Sequence, residues 1–189
     1  KVIENGYHHV RIQVATPGYA TYSHKPTTKK SNNFGPKLGT DRVFHPKPQT
    51  THAHPGGIFE PKPYIKSAIN LFEHIRSKIG WDIEILHDVH ERIPPILGID
   101  FAKQVESYKL FFLEDLFSPE DNDYFKIVRN QTSTPIAMGE LYNNPHEIIP
   151  MIKDRLIDFI RIHISQIGGI TPARKLAALC EAFNIRTAW

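Results

Sequence analysis

The sequence predicts an α/β fold of parallel strands covered by helices, and three features carry that prediction. Short apolar runs suited to buried strands alternate with stretches whose apolar residues recur every three or four positions. Capping residues followed by proline, Ser118-Pro119, Asn144-Pro145 and Thr171-Pro172, open three of the helical stretches. Three of the strand-like runs end in acid. Alternation with apolar strands implies a parallel sheet, because the crossovers between parallel strands cover its faces.

His8 to Val14 reads as the first strand. A long loop follows, from about residue 23 to 62, rich in Pro, His and Lys. Between Tyr19 and Phe59 it carries Lys25, Lys29, Lys30, Lys37, Arg42 and Lys47, with Asp41 as its one acid. With so few aliphatics it cannot bury a core. A loop of this length is a lid, an oligomer contact or a disordered insertion. From Pro63 the chain turns helical, with Ile65, Ala68, Ile69, Phe72, Ile75 and Ile79 on one stripe and Gly80 at the C-cap. Ile83 to Val89 is a buried strand. A helix is expected near Asp100 to Lys109, a strand over Leu110 to Leu116, and a helix from Ser118-Pro119. Pro135 to Glu140 is the next strand, and Asn144-Pro145, with Glu147 three residues on, opens the next helix. Phe159 to Ser165 is a strand, Thr171-Pro172 opens a helix running to about Phe183, and Ile185 to Trp189 begins a sixth strand. A doubly wound sheet and a (β/α) barrel both fit this order. The chain stops inside a strand, and an eight-unit barrel takes about 250 residues. The expectation is one truncated TIM-type barrel domain over 1–189.

Composition narrows the function. The net charge of +3 over 189 residues is too mild for a nucleic-acid footprint, and the basic loop lacks interleaved aromatics for stacking. No stretch approaches the roughly 18 apolar residues of a membrane span. Lys1 to Val10 contains no apolar leader, and the single cysteine, Cys180, allows no intrachain disulfide. Both point to a reducing, cytoplasmic setting. Cys180 falls in an apolar helical stretch and is expected to be buried.

The acids at the strand ends carry the chemistry. Asp88 ends the second strand with His90 two residues on; Glu114-Asp115 ends the third; Glu140 ends the fourth. Asp88, Glu114 and Glu140 are each 26 residues apart. In a regular β/α array, equal spacing sets equivalent positions side by side, and the C-terminal strand ends hold the active site. One such acid is as readily a helix cap or an ion-pair partner. Three together repel unless a cation lies between them, and hard oxygen donors suit Mg²⁺.

Asp88-Val-His90, Leu113-Glu114-Asp115 and Gly139-Glu140 together resemble the enolase superfamily, most closely its mannonate dehydratase group, which includes proteins called starvation-sensing. Val10-Arg11-Ile12-Gln13, Arg161 to Ile170 and Thr171 to Lys175 extend the likeness, which covers about residues 5–23 and 63–189. The resemblance implies a (β/α)7β barrel without its N-terminal capping domain and last strands, and therefore a fragment inactive alone. It implies Mg²⁺ held by Asp88, Glu114 and Glu140, and His90 as the general acid. Two residues past Asp88 on a strand, His90 would share its face. Arg11 matches the arginine that partners a base tyrosine; Tyr22 is that tyrosine, with Tyr19 the substitute. Arg161 matches a substrate-binding arginine, with Glu140 and His90 beside it at the substrate; His163 follows on the same strand face with no role assigned. Asp115 is expected behind the ligands or paired with a base.

The implied reaction is dehydration of an acid sugar, with loss of the proton alpha to the carboxylate and of the 3-hydroxyl. D-Mannonate giving 2-keto-3-deoxy-D-gluconate is the leading case. Gluconate, galactonate or altronate is the alternative, and a non-catalytic starvation-sensing relative is a third reading. The resemblance also implies a homo-oligomer, with a small-molecule partner and neither nucleic acid nor membrane.

Overall fold

The structure, a computed structural model, describes residues 3–14 and 60–189. Tyr19, Tyr22 and nearly all of the expected loop lie outside the described residues. After a short 3-10 turn at Ile3–Asn5, the elements are β1 (His9–Arg11), α1 (Pro61–Ile79), β2 (Glu84–Asp88), α2 (Pro95–Gln104), β3 (Phe112–Glu114), α3 (Asp123–Arg129), β4 (Ile136–Met138), α4 (Pro145–Lys153), β5 (Phe159–Ile160), α5 (Ile170–Ala182) and β6 (Arg186–Thr187). All five strand pairings are parallel, and the spatial order is β1-β2-β3-β4-β5-β6. This order separates the two folds the sequence left open. A doubly wound sheet reverses its strand order at a switch point. Here each crossover steps the same way, so the helices stack on one face and the sheet is half of a barrel.

Packing agrees. Ile85, Leu113, Ile136, Met138 and Ile160 point outward into one large core with helix residues such as Phe72, Phe101, Phe125, Ile152 and Leu176. The inward face carries a separate cluster of Phe112, Ala137 and Phe159 with no helix residue in it. Burial of each large side chain contributes about 1.5–3 kcal/mol.

Several boundaries differ from the sequence reading. α1 begins at Pro61, so the loop ends by Glu60 and not at 62; Pro61 is an N-terminal helix position, where a missing N–H costs nothing. α2 begins at Pro95, five residues before the expected start, and the stretch Val105–Tyr108 is a 3-10 turn. Pro95, set for the first turn by its fixed φ, is the signal that apolar periodicity alone missed. Ser118-Pro119 opens a 3-10 turn, Pro119–Asp121, ahead of α3. At α4 the Asn144 side chain accepts the His146 N–H at 3.0 Å, as the cap-proline signal predicts. α5 starts one residue before Thr171, capped by Gly169. β5 is only two residues long, where a seven-residue strand was expected. None of the described helices is long and apolar enough to cross a membrane.

Arg76 on α1 is a buried arginine that ties three elements together. Its guanidinium donates to the carbonyls of Gly80, Ile83, Tyr108 and Lys109, at 3.2, 2.8, 2.8 and 2.8 Å, and lies over the Trp81 ring at 4.8 Å. The carbonyls sit in the two turns that lead into β2 and β3, so this side chain sets how α1 meets the sheet. Replacing Arg76 by Met in the full-length protein is expected to lower unfolding free energy by about 2–3 kcal/mol, read by urea denaturation. Cys180 is buried in α5, and that burial pushes its thiol up to about 11. It is therefore expected to react with a thiol reagent at pH 8 only as fast as the fold opens, with labelling accelerated by denaturant.

Candidate active site

The main-chain ladder decides which strand-end acids are neighbours. β2 and β3 pair so that Asp88 lies directly opposite Glu114. Alternation places both on the inward face, with Leu86 and Phe112 below them. The β3–β4 register, however, sets Glu114 opposite Ala137. The equal 26-residue spacing thus predicts the first pair correctly and fails for the second: Glu140 lies three positions beyond the residue opposite Glu114, past the end of β4. The turns and helices between strands differ in length, and register follows packing and the ladder rather than residue count.

Each carboxylate of the inward pair is buried and carries an arginine. Asp88 pairs through Oδ2 with the Arg11 guanidinium, and the same oxygen lies 2.9 Å from His90 Nε2. Its Oδ1 accepts the His90 backbone N–H at 3.0 Å. His90 is not on the strand as expected. β2 ends at Asp88, and His90 and Glu91 turn with φ of 55° and 48°, so the turn, not strand alternation, brings the imidazole back onto Asp88. Burial, followed by the charge of Arg92, lowers the His90 pKa. Glu114 Oε1 accepts Arg161 Nε at 2.8 Å, and Arg161 Nη1 donates to Ala188 O at 2.5 Å. Arg161 directly follows the short β5. His163 does not share its target and instead approaches Glu140 Oε2 at 4.0 Å.

Arg11 is positioned from behind by a buried pair that the sequence reading missed. His87 Nδ1 lies 2.8 Å from Ile12 O and its Nε2 2.8 Å from Tyr64 Oη. A carbonyl only accepts, so Nδ1 carries the proton and Tyr64 donates to Nε2. Burial depresses the His87 pKa to about 4, which keeps the ring neutral and this relay intact. It locks the end of β1 to β2 and α1, one residue beyond Arg11.

A second group of acids sits at the same strand ends. One carboxylate oxygen from each of Glu91, Asp115 and Glu140 lies within 4.8 Å of the other two. Asp115 is fully buried, and its Oδ1 accepts the Gly139 N–H at 3.3 Å; among the described residues no salt bridge joins it to a basic side chain. Burial first, then the charges of Glu114, Glu91 and Glu140, push Asp115 up to about 8. Burial, then Glu140, push Glu91 up to about 7. Gly139 makes this arrangement possible: it has a φ of 148°, and a Cβ there would lie 2.9 Å from the Arg161 backbone. Glu91 was not legible as a site residue; its place follows from the left-handed turn at the end of β2.

The family of enolase C-terminal domain-like proteins matches residues 2–189. The chain belongs to this family. A D-galactonate dehydratase family member of Salmonella enteritidis is 46% identical over 187 residues, which is 99% of this chain and 43% of the relative. A family member of the same description from Enterocloster bolteae is 44% identical over 189 residues, 100% of this chain and 42% of the relative. Among solved structures, an enolase from Pantoea ananatis with bound D-gluconate and Mg superposes with a TM-score of 0.78 at 44% identity, covering 99% of this chain and 44% of that one. The chain thus spans less than half the length of these relatives.

Because Glu114 is buried, Arg161 holds an otherwise unpaired charge. Arg161→Gln in the full-length protein is expected to cost about 3 kcal/mol in chemical denaturation, and adding Glu114→Gln to recover much of that loss.

Proposed function

We propose that this chain is the site-bearing part of a Mg²⁺-dependent acid-sugar dehydratase, a lyase that removes the proton alpha to the substrate carboxylate and releases the 3-hydroxyl as water. The observation that carries the reading is the buried, register-paired Asp88 and Glu114, with His90 on Asp88 and Arg161 on Glu114. The donor set fits a hard divalent cation: Asp88, Glu114 and Glu140 offer only carboxylate oxygens, and beside them one buried oxygen each of Glu91 and Asp115 has no hydrogen-bond partner among the described residues. Asp88, Glu114 and Glu140 would hold the Mg²⁺. When bound, it supplies positive charge against the negative charge that develops on the substrate carboxylate as the alpha proton leaves.

The side chains divide the remaining work. His90, fixed by its contact with Asp88, delivers the proton to the departing 3-hydroxyl. Arg161, with two nitrogens held by Glu114 and Ala188, presents its guanidinium rigidly at the barrel mouth as an anion and hydroxyl donor, with Glu140 beside the substrate. Arg11 lies 3.4 Å from His90 Nε2 and stabilises a phenolate base, for which the resemblance names Tyr22, with Tyr19 as substitute. Loss of the alpha proton and of hydroxide leaves an enol, which tautomerises to the 2-keto-3-deoxy acid.

Among acid sugars, a D-galactonate dehydratase family relative and the D-gluconate-bound enolase favour D-galactonate and D-gluconate over D-mannonate, the leading expectation from the sequence. The alternative acid-sugar reading therefore takes precedence. The family resemblance extends the proposal to a homo-oligomer. The test is turnover of the full-length protein with Mg²⁺ on D-gluconate, D-galactonate, D-altronate and D-mannonate, measured as 2-keto-3-deoxy product. Activity is expected on one of the first two, lost with chelator and with Asp88→Asn. His90→Asn is expected to lower kcat about 10²- to 10⁴-fold. A folded, Mg²⁺-binding protein inert on the whole panel would overturn the reading.

A further inference from the structure

We propose that the groove between α1 and α2 is a self-association surface, on which a second copy of this chain docks about a two-fold axis running along the groove. The groove measures about 420 Å³ and is lined by the two helices alone; none of its residues is a strand-end acid or one of their arginines. Its apolar part is Ile65 and Ile69 of α1 and Leu97 of α2. Ile96 extends the same stripe of α2, one turn before Asp100, and stands 69% exposed. The rims carry opposite charge and do not neutralise each other. Lys62 and Lys66 on α1 and Asp100 on α2 are all exposed, and among the described residues no salt bridge joins any of them to an opposite charge. Asp100 Oδ2 instead accepts the Gln104 side-chain N–H at 2.6 Å, which holds the carboxylate on the rim.

Charge complementarity selects the occupant. A basic wall and an acidic wall on either side of an apolar strip form a self-complementary surface, which is what a two-fold interface requires. Topology then fixes the axis. α1 and α2 connect successive parallel strands, so they run side by side in the same direction. A two-fold axis along the groove preserves that direction and lays each α1 over the α2 of the other copy. The lysines of one copy then face Asp100 of the other, at both ends of the interface, and each Ile96 is brought onto the opposite α1. An axis across the groove would lay α1 on α1 and set lysines against lysines, which like-charge repulsion disfavours. The apolar strip supplies the area removed from water, and the charged rims set the register.

The inference rests on the homo-oligomer proposed above and on none of the dehydratase chemistry. The test is sedimentation velocity of the full-length protein, its Lys66→Glu variant and its Asp100→Lys variant, with circular dichroism to check folding. Both positions are exposed, and Ile96→Ser serves as a third variant if either fails to fold. Wild type is expected to associate, and each charge variant to raise the dissociation constant at least about tenfold, because it sets like charges face to face twice per dimer. Mixed one to one, the two charge variants are expected to recover the wild-type mass: one contact is then native and the other is the same ion pair with its signs exchanged. Recovery on mixing cannot arise within a single chain. Dissociation without recovery would overturn the interface. An assembly of unchanged mass in every variant would overturn it while leaving the homo-oligomer; a lowered denaturation midpoint in that case would place another part of the full-length chain in the groove. A monomeric wild type would overturn both. Turnover of acid sugars by the same preparations reports separately on the dehydratase reading.

Discussion

The parallel pairing of β2 with β3 is the constraint on which the rest of the site depends. It forces two carboxylates, Asp88 and Glu114, side by side at the mouth of a half-barrel and removes both from water. Two adjacent buried negative charges are untenable without compensation. The neighbouring strands supply it. Arg11 reaches in from the end of edge strand β1 and Arg161 from just past β5, so strands on both sides of the pair are tied to it electrostatically.

This arrangement couples stability to chemistry. The arginines that neutralise the buried carboxylates also bring two guanidinium groups to the strand ends. The Arg161 guanidinium is already oriented by Ala188 O, and the backbone one residue beyond Arg11 is held by His87 and Tyr64. Less ordering is then left for binding to impose. Positive φ at His90, Glu91 and Asp115 is concentrated at the same strand ends. Left-handed, non-glycine backbone is commonly kept where function requires it.

Much of the fold was legible because parallel β/α units have strong local signatures. Apolar strands, the α1 stripe and the Asn144-Pro145 cap all appear where the periodicity and capping chemistry put them. The misplaced boundaries have local causes. Pro95 starts α2 earlier than the apolar pattern suggests, and β5 is limited to Phe159–Ile160, with the Arg161 N–H still donating to Met138 O beyond it. At the candidate site, the motif singled out Asp88, Glu114 and His90, and the fold makes them neighbours. Glu91 was not, because a left-handed turn has no hydrophobic period to announce it.

The α/β alternation and the acidic strand ends follow from the sequence alone, because side-chain type and local periodicity carry that information, whereas the candidate acid and arginine residues came from the family resemblance of its motifs. Only the tertiary structure decided between an open doubly wound sheet and a barrel, since strand order is a long-range property. It also decided which acids are neighbours. The 26-residue intervals look equivalent in the chain, but the ladder pairs Glu114 with Ala137 and the tight Gly139–Arg161 approach turns Glu140 toward Glu91 and Asp115. Hydrogen-bond register and close packing act across strands, and no count of residues along one chain contains them.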